Sequence, residues 1–174
     1  WEATYLGAVP PPSDSQEGLP YLGRLEESAA LTDSIDWSTL GAVTAVKDQG
    51  QCGSCWSFST TGAMEGANQV ATGRLVSFAE QQLVDCSKQN SGCNGGLMDY
   101  AFQFYESTAV ASESSYPYTA ADGTCKSSFT TAIPQGGVTG FKDISDEAGL
   151  LDAVSNVGPI SVAIEADQSS FQMY

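Results

Sequence analysis

The sequence predicts an α+β fold, with helices in the first part of the chain and short strands in the second. Residues 54–71 and 97–107 place small or apolar side chains three and four positions apart, as helices do. After residue 138 the pattern changes, and residues 160–164 alternate in the way of a half-buried strand. This order of elements separates a helical region from a region richer in strands.

Composition restricts the class of protein and its partners. The 174 residues are 41% hydrophobic, which is enough for one sizeable core, and no apolar run reaches the length of a membrane helix. With 6 basic and 21 acidic side chains the net charge is −15, which argues against nucleic acid or an anionic membrane as a partner. We expect a monomer with a solvated acidic surface. Because the chain begins with Trp1 and shows no signal segment, we expect a piece of a longer precursor.

The first predicted helix runs from residue 54 to about residue 71, after a short extended run at 42–46. Gly73 is a plausible stop signal, because glycine adopts the left-handed conformation that ends many helices. We expect this helix to lie buried at the centre of the domain, since small side chains let other elements approach closely. The small side chains are Gly62, Ala63, Gly66 and Ala67.

Two further helices are predicted before residue 110. Ser77 and Glu80 fit a capping box, so a second helix should run from there to about residue 85. Residues 87–96 are rich in Ser, Asn and Gly and should form a loop. The third helix should cover 97–107 with one apolar face, formed by Leu97, Ala101, Phe104 and Tyr105.

The rest of the chain is expected to be irregular first and regular later. Residues 116–134 should be mostly irregular, and strands are predicted at 138–144 and 160–164. Between the strands, Ser145 is a candidate cap for a helix that runs through residue 155. Three side chains of that helix should point inward: Leu150, Leu151 and Val154.

Cys55 is the candidate nucleophile. A loop that carries Gln49 and Gly50 runs into the first helix, whose first turn holds Cys55 and Trp56. A cysteine at a helix N-terminus faces unpaired N–H groups and the positive end of the helix dipole, which favour the nucleophilic thiolate. The five cysteines, at positions 52, 55, 86, 93 and 125, are an odd number, so one thiol is left unpaired.

Other uses of the cysteines fit the pattern less well. Cys52 and Cys55 form a C-x-x-C, as in thiol–disulfide oxidoreductases, but those motifs follow a strand in a βαβ unit. Here Gln-Gly precedes the motif and a helix with small side chains follows it. A zinc site would need further ligands, but the sequence has neither a second C-x-x-C nor any histidine.

The chain resembles the papain family of cysteine proteases over residues 31–174. Residues 49–56, Gln-Gly-Gln-Cys-Gly-Ser-Cys-Trp, are similar to the active-site segment of that family. Four further segments continue the resemblance in the same order, the first two of them towards the cathepsin L branch: 80–86, 92–99, 115–118 and 158–162.

The resemblance implies a papain-like fold of two lobes with the active site between them. The helical left lobe would be complete, at about 40–140, and a β-barrel right lobe would begin at about 141–174 and be truncated. Residues 1–30 would be the C-terminal part of a propeptide, with a plain disordered leader as the alternative. Residues 31–174 would be an incomplete peptidase domain.

The family pattern also implies roles for particular residues. Cys55 would be the nucleophile, and the Gln49 amide and the Cys55 backbone N–H would stabilise the oxyanion. Gly95 and Gly96 would line the cleft, where a ligand approaches the backbone without a Cβ in the way. Leu97, Met98 and Ala163 would form the pocket for the second residue before the cut, unless they are ordinary core residues. The implied disulfides are Cys52–Cys93 and Cys86–Cys125, which leaves Cys55 free.

One expected catalytic group is missing, because the sequence contains no histidine. A papain-like thiolate needs a histidine as general base and acid, with an Asn or Asp to orient it. In the family both lie roughly 130–150 residues after the cysteine. We therefore expect the histidine beyond residue 174 and expect the 174 residues alone to be inactive.

The resemblance thus implies a cysteine endopeptidase that prefers an apolar residue two positions before the cut. Its partners would be polypeptide substrates and its own propeptide as inhibitor, and no metal or organic cofactor is implied. The branch of the family suggests the secretory pathway, with a lysosome, a vacuole or the extracellular space as destination. A non-catalytic binding protein with a protease-like fold is the main alternative.

Overall fold

The computed structural model describes residues 34–164 and 168–173, so the predicted propeptide segment at 1–30 lies outside the described residues. Helices dominate these ranges, and the only strands in them form one small antiparallel sheet. The combination of helices with one small sheet is consistent with the predicted α+β class. No helix within the described ranges is both long and apolar enough to span a membrane. The elements are α1 (Cys55–Thr72), α2 (Glu80–Cys86), a 3₁₀ turn (Gly92–Asn94), α3 (Met98–Glu106), β1 (Val110–Ala111), β2 (Thr131–Ile133), α4 (Glu147–Asn156) and α5 (Ser169–Gln172).

Helix α1 has the predicted bounds but a different buried face. It ends at Gly73, whose φ of 72° is left-handed and whose N–H donates to the Gln69 carbonyl at 2.7 Å. The buried residues include Trp56, Met64 and, of the predicted small residues, only Gly66, whereas Gly62 is exposed. The prediction that the small residues bury the helix is therefore wrong for most of them, because large side chains on another face fill the core. Of the two glycines in the predicted set, Gly66 is closely approached by Pro159, whereas Gly62 has open space beside it.

Helix α2 is buried along its whole length, but the predicted capping box is wrong. Ala79 is the N-cap residue and no side chain caps the helix. The Ser77 hydroxyl donates to Glu65 Oε1 at 3.3 Å, and Glu80 Oε1 accepts from Lys47 Nζ at 2.6 Å. Both candidate capping side chains therefore bind partners distant in sequence instead of each other.

Helix α3 packs on α1 and completes the main core. It begins after Leu97, and its buried residues Ala101 and Tyr105 lie on the predicted face. The Tyr105 hydroxyl donates to Gln82 Oε1 at 3.2 Å, which ties α3 to α2. The fully or nearly fully buried members of this core are Trp56, Met64, Phe78, Leu83, Val84, Ala101, Tyr105 and Val110.

The strands are not where the sequence predicts them. Neither 138–144 nor 160–164 is a strand, and the run at 42–46 is also irregular. A strand requires a neighbouring backbone for its hydrogen bonds, and within the described ranges no strand runs beside these segments. The small sheet pairs β1 with β2 instead, with Val110 opposite Ile133. The Ala111 N–H, next to a register irregularity, donates to Gln82 Oε1 at 2.8 Å.

Helix α4 forms as predicted but with a different cap and a different buried face. Asp146, not Ser145, is the cap, and its carboxylate accepts from the Gly149 N–H at 2.7 Å. Leu150 and Leu151 are 36% and 49% exposed, so their predicted inward orientation is wrong. The buried residues of the helix are Ala153 and Ser155.

Three hydrogen bonds connect residues 154–162 to the earlier part of the chain. The Trp37 indole donates to the Val154 carbonyl at 2.7 Å. The Ser59 hydroxyl on α1 lies 2.7 Å from the Ser161 hydroxyl and 3.3 Å from the Val162 carbonyl. Residues 161–162 are therefore held against α1 one turn after its start.

Candidate active site

The structure places Cys55 at the first position of α1 as a half-buried free thiol. Ser54 precedes it as the N-cap residue, but the Ser54 hydroxyl does not accept a hydrogen bond from the helix. Within the described ranges, no group accepts from the Cys55 backbone N–H. A thiol and an uncommitted N–H donor therefore occupy the same residue at the positive end of an 18-residue helix.

The loop before Cys55 is held in shape by its own hydrogen bonds. Gly50 has a left-handed φ of 59°, and its N–H donates to Asp48 Oδ1 at 2.8 Å. The Gln49 side-chain amide donates to the Cys52 carbonyl at 2.8 Å. Because a primary amide carries two N–H groups, this bond orients Gln49 and leaves its second N–H for another acceptor.

Two disulfides are present, and they join the same cysteines as the family pattern implies. Cys52–Cys93 connects the loop before α1 to the 3₁₀ turn, and Cys86–Cys125 fastens the end of α2 to the irregular segment. The Gly53 N–H adds a hydrogen bond to the Cys93 carbonyl at 2.9 Å. Cys52 and Cys55 are therefore not bonded to each other in this structure.

Gly95 and Gly96 have structural reasons to be glycine. Gly95 has φ 115°, a conformation that residues with a Cβ rarely adopt. A Cβ on Gly96 would lie 2.8 Å from Cδ2 of the Trp56 ring and would also overlap the Asn90 side chain. Asn90 is itself fixed, because its Oδ1 accepts from the Leu97 N–H at 2.8 Å.

Three predicted pocket residues share one groove along α1. Leu97 is 9% exposed, Met98 is half-buried and Ala163 is exposed, and all three line this groove. Cys55 is not among the residues that line it. The groove and the thiol are nevertheless related, because Ser59 lies one helical turn after Cys55 and holds the segment that precedes Ala163.

A buried charge cluster lies behind the loop, and the sequence analysis missed it. Lys47 Nζ lies 2.8 Å from Glu65 Oε1 and 2.6 Å from Glu80 Oε1, and both carboxylates are 1% exposed. Burial by itself would lower the pKa of Lys47, but the bonds to the two carboxylates outweigh it and the pKa is raised. The sequence signal that could have indicated this cluster is the presence of acidic residues among the apolar positions of α1 and α2.

Glu113 completes this cluster. Its Oε1 accepts from the Tyr118 N–H at 2.9 Å, whereas its buried Oε2 has no hydrogen-bond partner among the described residues. Burial raises the pKa of Glu113, the bond from Tyr118 opposes the shift, and the nearby Glu80 carboxylate adds to it. Within the described residues, this cluster included, no group of three or more His, Cys, Asp or Glu side chains could hold a metal ion.

Comparison with known proteins decides the family. Residues 31–174 match the family described as papain family cysteine protease. The chain belongs to this family. It is 54% identical over 144 residues to thiol protease SEN102 of Hemerocallis sp., covering 81% of this chain and 39% of that protein. It is 53% identical over 148 residues to procathepsin L of Mus musculus, covering 83% of this chain and 44% of that protein.

Solved structures agree with the family and the fold. Procathepsin L 3 of Tenebrio molitor larval midgut matches with TM-score 0.71 and 44% identity, covering 80% of this chain and 45% of that chain. The Carica candamarcensis cysteine protease CMS1MS2, in complex with E-64, matches with TM-score 0.75 and 36% identity over 80% of this chain and 66% of that chain. The predicted papain family, cathepsin L-like resemblance is thus confirmed. The chain spans about two fifths of the length of these two curated relatives.

Proposed function

We propose that the whole protein carrying this chain is a cysteine endopeptidase in which the Cys55 thiolate attacks the substrate's peptide carbonyl. The observation that carries this proposal is the position of Cys55. It is the free thiol of the described residues, stands at the start of α1, and has an uncommitted N–H donor. The loop next to it holds Gln49 with one amide N–H still available.

In the proposed reaction, the sulfur forms a bond to the carbonyl carbon and the carbonyl electrons move to the oxygen. The Cys55 N–H and the second Gln49 amide N–H would donate to this oxyanion, and one such donor is typically worth about 3–4 kcal/mol. Collapse of the intermediate breaks the C–N bond, leaves a thioester on Cys55, and requires a proton for the departing amine. Water then hydrolyses the thioester and restores the thiol.

The proton must come from a group outside these 174 residues if the mechanism uses histidine, because the sequence contains none. The curated relatives are more than twice as long as the region matched here. We propose that the general base is a histidine beyond residue 174, in the part of such a protein that this chain does not cover. An Asn or Asp there would orient the imidazole.

Substrate recognition is proposed to involve the glycine pair and the groove. Gly95 and Gly96 would present backbone to an extended polypeptide substrate. Leu97, Met98 and Ala163 would form an apolar pocket for the second residue before the cut. All three line one groove, which is large and is also bounded by residues 130–134 and 137–150. No cofactor is needed for this chemistry.

We also propose a precursor organisation. Residues 1–30 would be the end of an inhibitory propeptide and 31–174 part of the peptidase domain. A monomer of the secretory pathway, destined for a lysosome, a vacuole or the extracellular space, is consistent with relatives named procathepsin L and vignain.

The test is kinetic and uses the whole activated protein. Wild type should hydrolyse fluorogenic peptides with Leu or Phe two positions before the cut and should reject the matched peptide with Asp there. Cys55→Ala should lose at least roughly a thousandfold in kcat with an unchanged circular dichroism spectrum. Wild-type protein that binds the peptides without cleaving them would contradict the proposal and favour the non-catalytic alternative. Full activity in Cys55→Ala would show that another nucleophile acts.

A further inference from the structure

Tyr118 makes contacts that the proposed mechanism does not yet use. Its hydroxyl donates to the Gln49 backbone carbonyl at 2.8 Å and lies 2.5 Å from the Ser54 hydroxyl. Gln49 carries the proposed oxyanion donor, and Ser54 immediately precedes the nucleophile. The Tyr118 oxygen therefore bridges the two sides of the proposed oxyanion hole, although Tyr118 lies 69 residues after Gln49 and 64 residues after Ser54.

Counting protons fixes the direction of both bonds. The Gln49 carbonyl can only accept, so the single Tyr118 proton is committed to it. Ser54 must then donate its hydroxyl proton to the Tyr118 oxygen. The Ser54 hydroxyl does not cap α1, although serine is a favoured N-cap residue. Burial raises the pKa of Tyr118, so the phenol keeps the proton on which this arrangement depends.

The Tyr118 ring is itself held in place. It packs edge-on against Phe58 of α1 with 4.8 Å between ring centroids. Its backbone N–H donates to Glu113 Oε1 at 2.9 Å, and the Glu113 N–H donates to the Ser77 carbonyl at 2.9 Å. The hydroxyl is thus presented from a fixed ring and a fixed backbone, as a positioning group requires.

We propose that Tyr118 is a positioning residue for the oxyanion hole, in which its hydroxyl clamps the Gln49 backbone to Ser54 and so sets the Gln49 amide relative to the Cys55 N–H. This inference rests on the proposed function. Tyr118 touches no reacting atom, so it acts through Gln49. Gln49 binds the transition state more strongly than the substrate, so loss of the clamp lowers kcat and leaves KM nearly unchanged.

The experiment compares two Tyr→Phe variants in the whole activated protein. Tyr118→Phe removes the clamp hydroxyl. Tyr105→Phe is the matched control, because it removes another tyrosine hydroxyl that donates one buried hydrogen bond, to Gln82, away from the loop. We expect a fall of roughly tenfold to a hundredfold in kcat for Tyr118→Phe and wild-type kcat for Tyr105→Phe, each with KM within about twofold of wild type.

Two further readouts separate positioning from general damage. Alkylation of Cys55 by iodoacetamide forms no oxyanion, so its rate should be the same in Tyr118→Phe and wild type. Adding Tyr118→Phe to Gln49→Ala should lower kcat by less than about twofold relative to Gln49→Ala alone, because two residues that act through the same group have non-additive effects.

The outcomes are distinguishable. Two outcomes with an active wild type would overturn the clamp and leave the proposed function standing. One is a wild-type kcat for Tyr118→Phe. The other is a double variant whose fold-loss in kcat equals the product of the losses of Tyr118→Phe and Gln49→Ala. Slower alkylation in Tyr118→Phe would show damage to the thiol site and would also overturn the clamp. If wild type cleaves no peptide, both the proposed function and the clamp are overturned.

Discussion

Replacing Lys47 by methionine is the sharpest test of how the loop before Cys55 is anchored. Methionine keeps most of the apolar stem of lysine but removes the ammonium that joins Glu65 and Glu80. Because both carboxylates are 1% exposed, the change leaves two buried negative charges without their cation. Removing one partner of a buried ion pair typically costs roughly 3–5 kcal/mol.

The surroundings of the two carboxylates place the expected loss at the lower end of this range. Glu65 still accepts from the Thr44 hydroxyl at 2.7 Å and the Phe78 N–H at 2.8 Å. Glu80 still accepts from the Thr61 hydroxyl at 2.6 Å. The lysine side chain is 24% exposed, so water can reach the vacated position. We therefore expect a loss of about 3 kcal/mol in the free energy of unfolding at pH 7.

Urea unfolding of the whole protein at several pH values measures this loss. Because the folded-state pKa of Lys47 is raised above its unfolded value, the stability that Lys47 contributes is fully present below the unfolded pKa and is lost as the pH rises through the folded pKa. The difference between Lys47→Met and wild type should therefore be unchanged across neutral pH and should shrink in strongly alkaline solution. Lys142→Met is the matched control, since Lys142 is exposed and makes no ion pair within the described ranges. It should stay within about 0.5 kcal/mol of wild type. A loss below about 1 kcal/mol for Lys47→Met, or one that does not shrink in strongly alkaline solution, would refute the reasoning.

Two further predictions concern Glu113 and Gly96. The pKa of Glu113 is raised in the folded state, so the ionised side chain destabilises the fold. This destabilisation is absent below the unfolded-state pKa and is fully present once the pH has risen through the folded-state pKa. Glu113→Gln should therefore be more stable than wild type in urea at pH 7 and equal to it near pH 4; equal stability at both would contradict the shift. Gly96→Ala should lower the free energy of unfolding by about 1–3 kcal/mol, because its Cβ meets Trp56 and Asn90. A melting temperature equal to that of wild type would contradict this prediction, because it would show that both neighbours move aside without a cost in stability.

Local sequence signals predicted the helices well. The bounds of α1 followed from a cysteine after a loop and from Gly73, which needs a left-handed φ. The buried face of α3 followed from the spacing of Ala101 and Tyr105. These features depend on neighbours three or four residues away, which periodicity records directly.

Features that depend on distant partners were not predicted. The pattern at 160–164 resembles a strand, but no strand of the described residues lies beside it. Ser77 and Glu80 fit a local capping box, yet both bond to side chains elsewhere in the chain, Glu65 and Lys47. The sequence order of residues does not reveal which long-range partner a polar side chain will find.

The same division applies to the candidate site. Cys55 and Gln49 stand within one short motif, so the sequence indicated both as candidates. Tyr118 reaches the Gln49 carbonyl across 69 residues, and no spacing rule indicates that contact. Its signal was the segment at 115–118, which resembles the family but has no chemistry that can be assigned without the fold.

The central claim is that Cys55 is the reactive thiol of a papain-family peptidase, and covalent labelling tests it most directly. The whole activated protein is treated with E-64, the compound in the related Carica structure, and digested without reduction for mass spectrometry. We expect one label per protein, on Cys55, with loss of peptide hydrolysis in proportion to labelling. A label on Cys52 or Cys93, or complete labelling of Cys55 with hydrolysis intact, would contradict it.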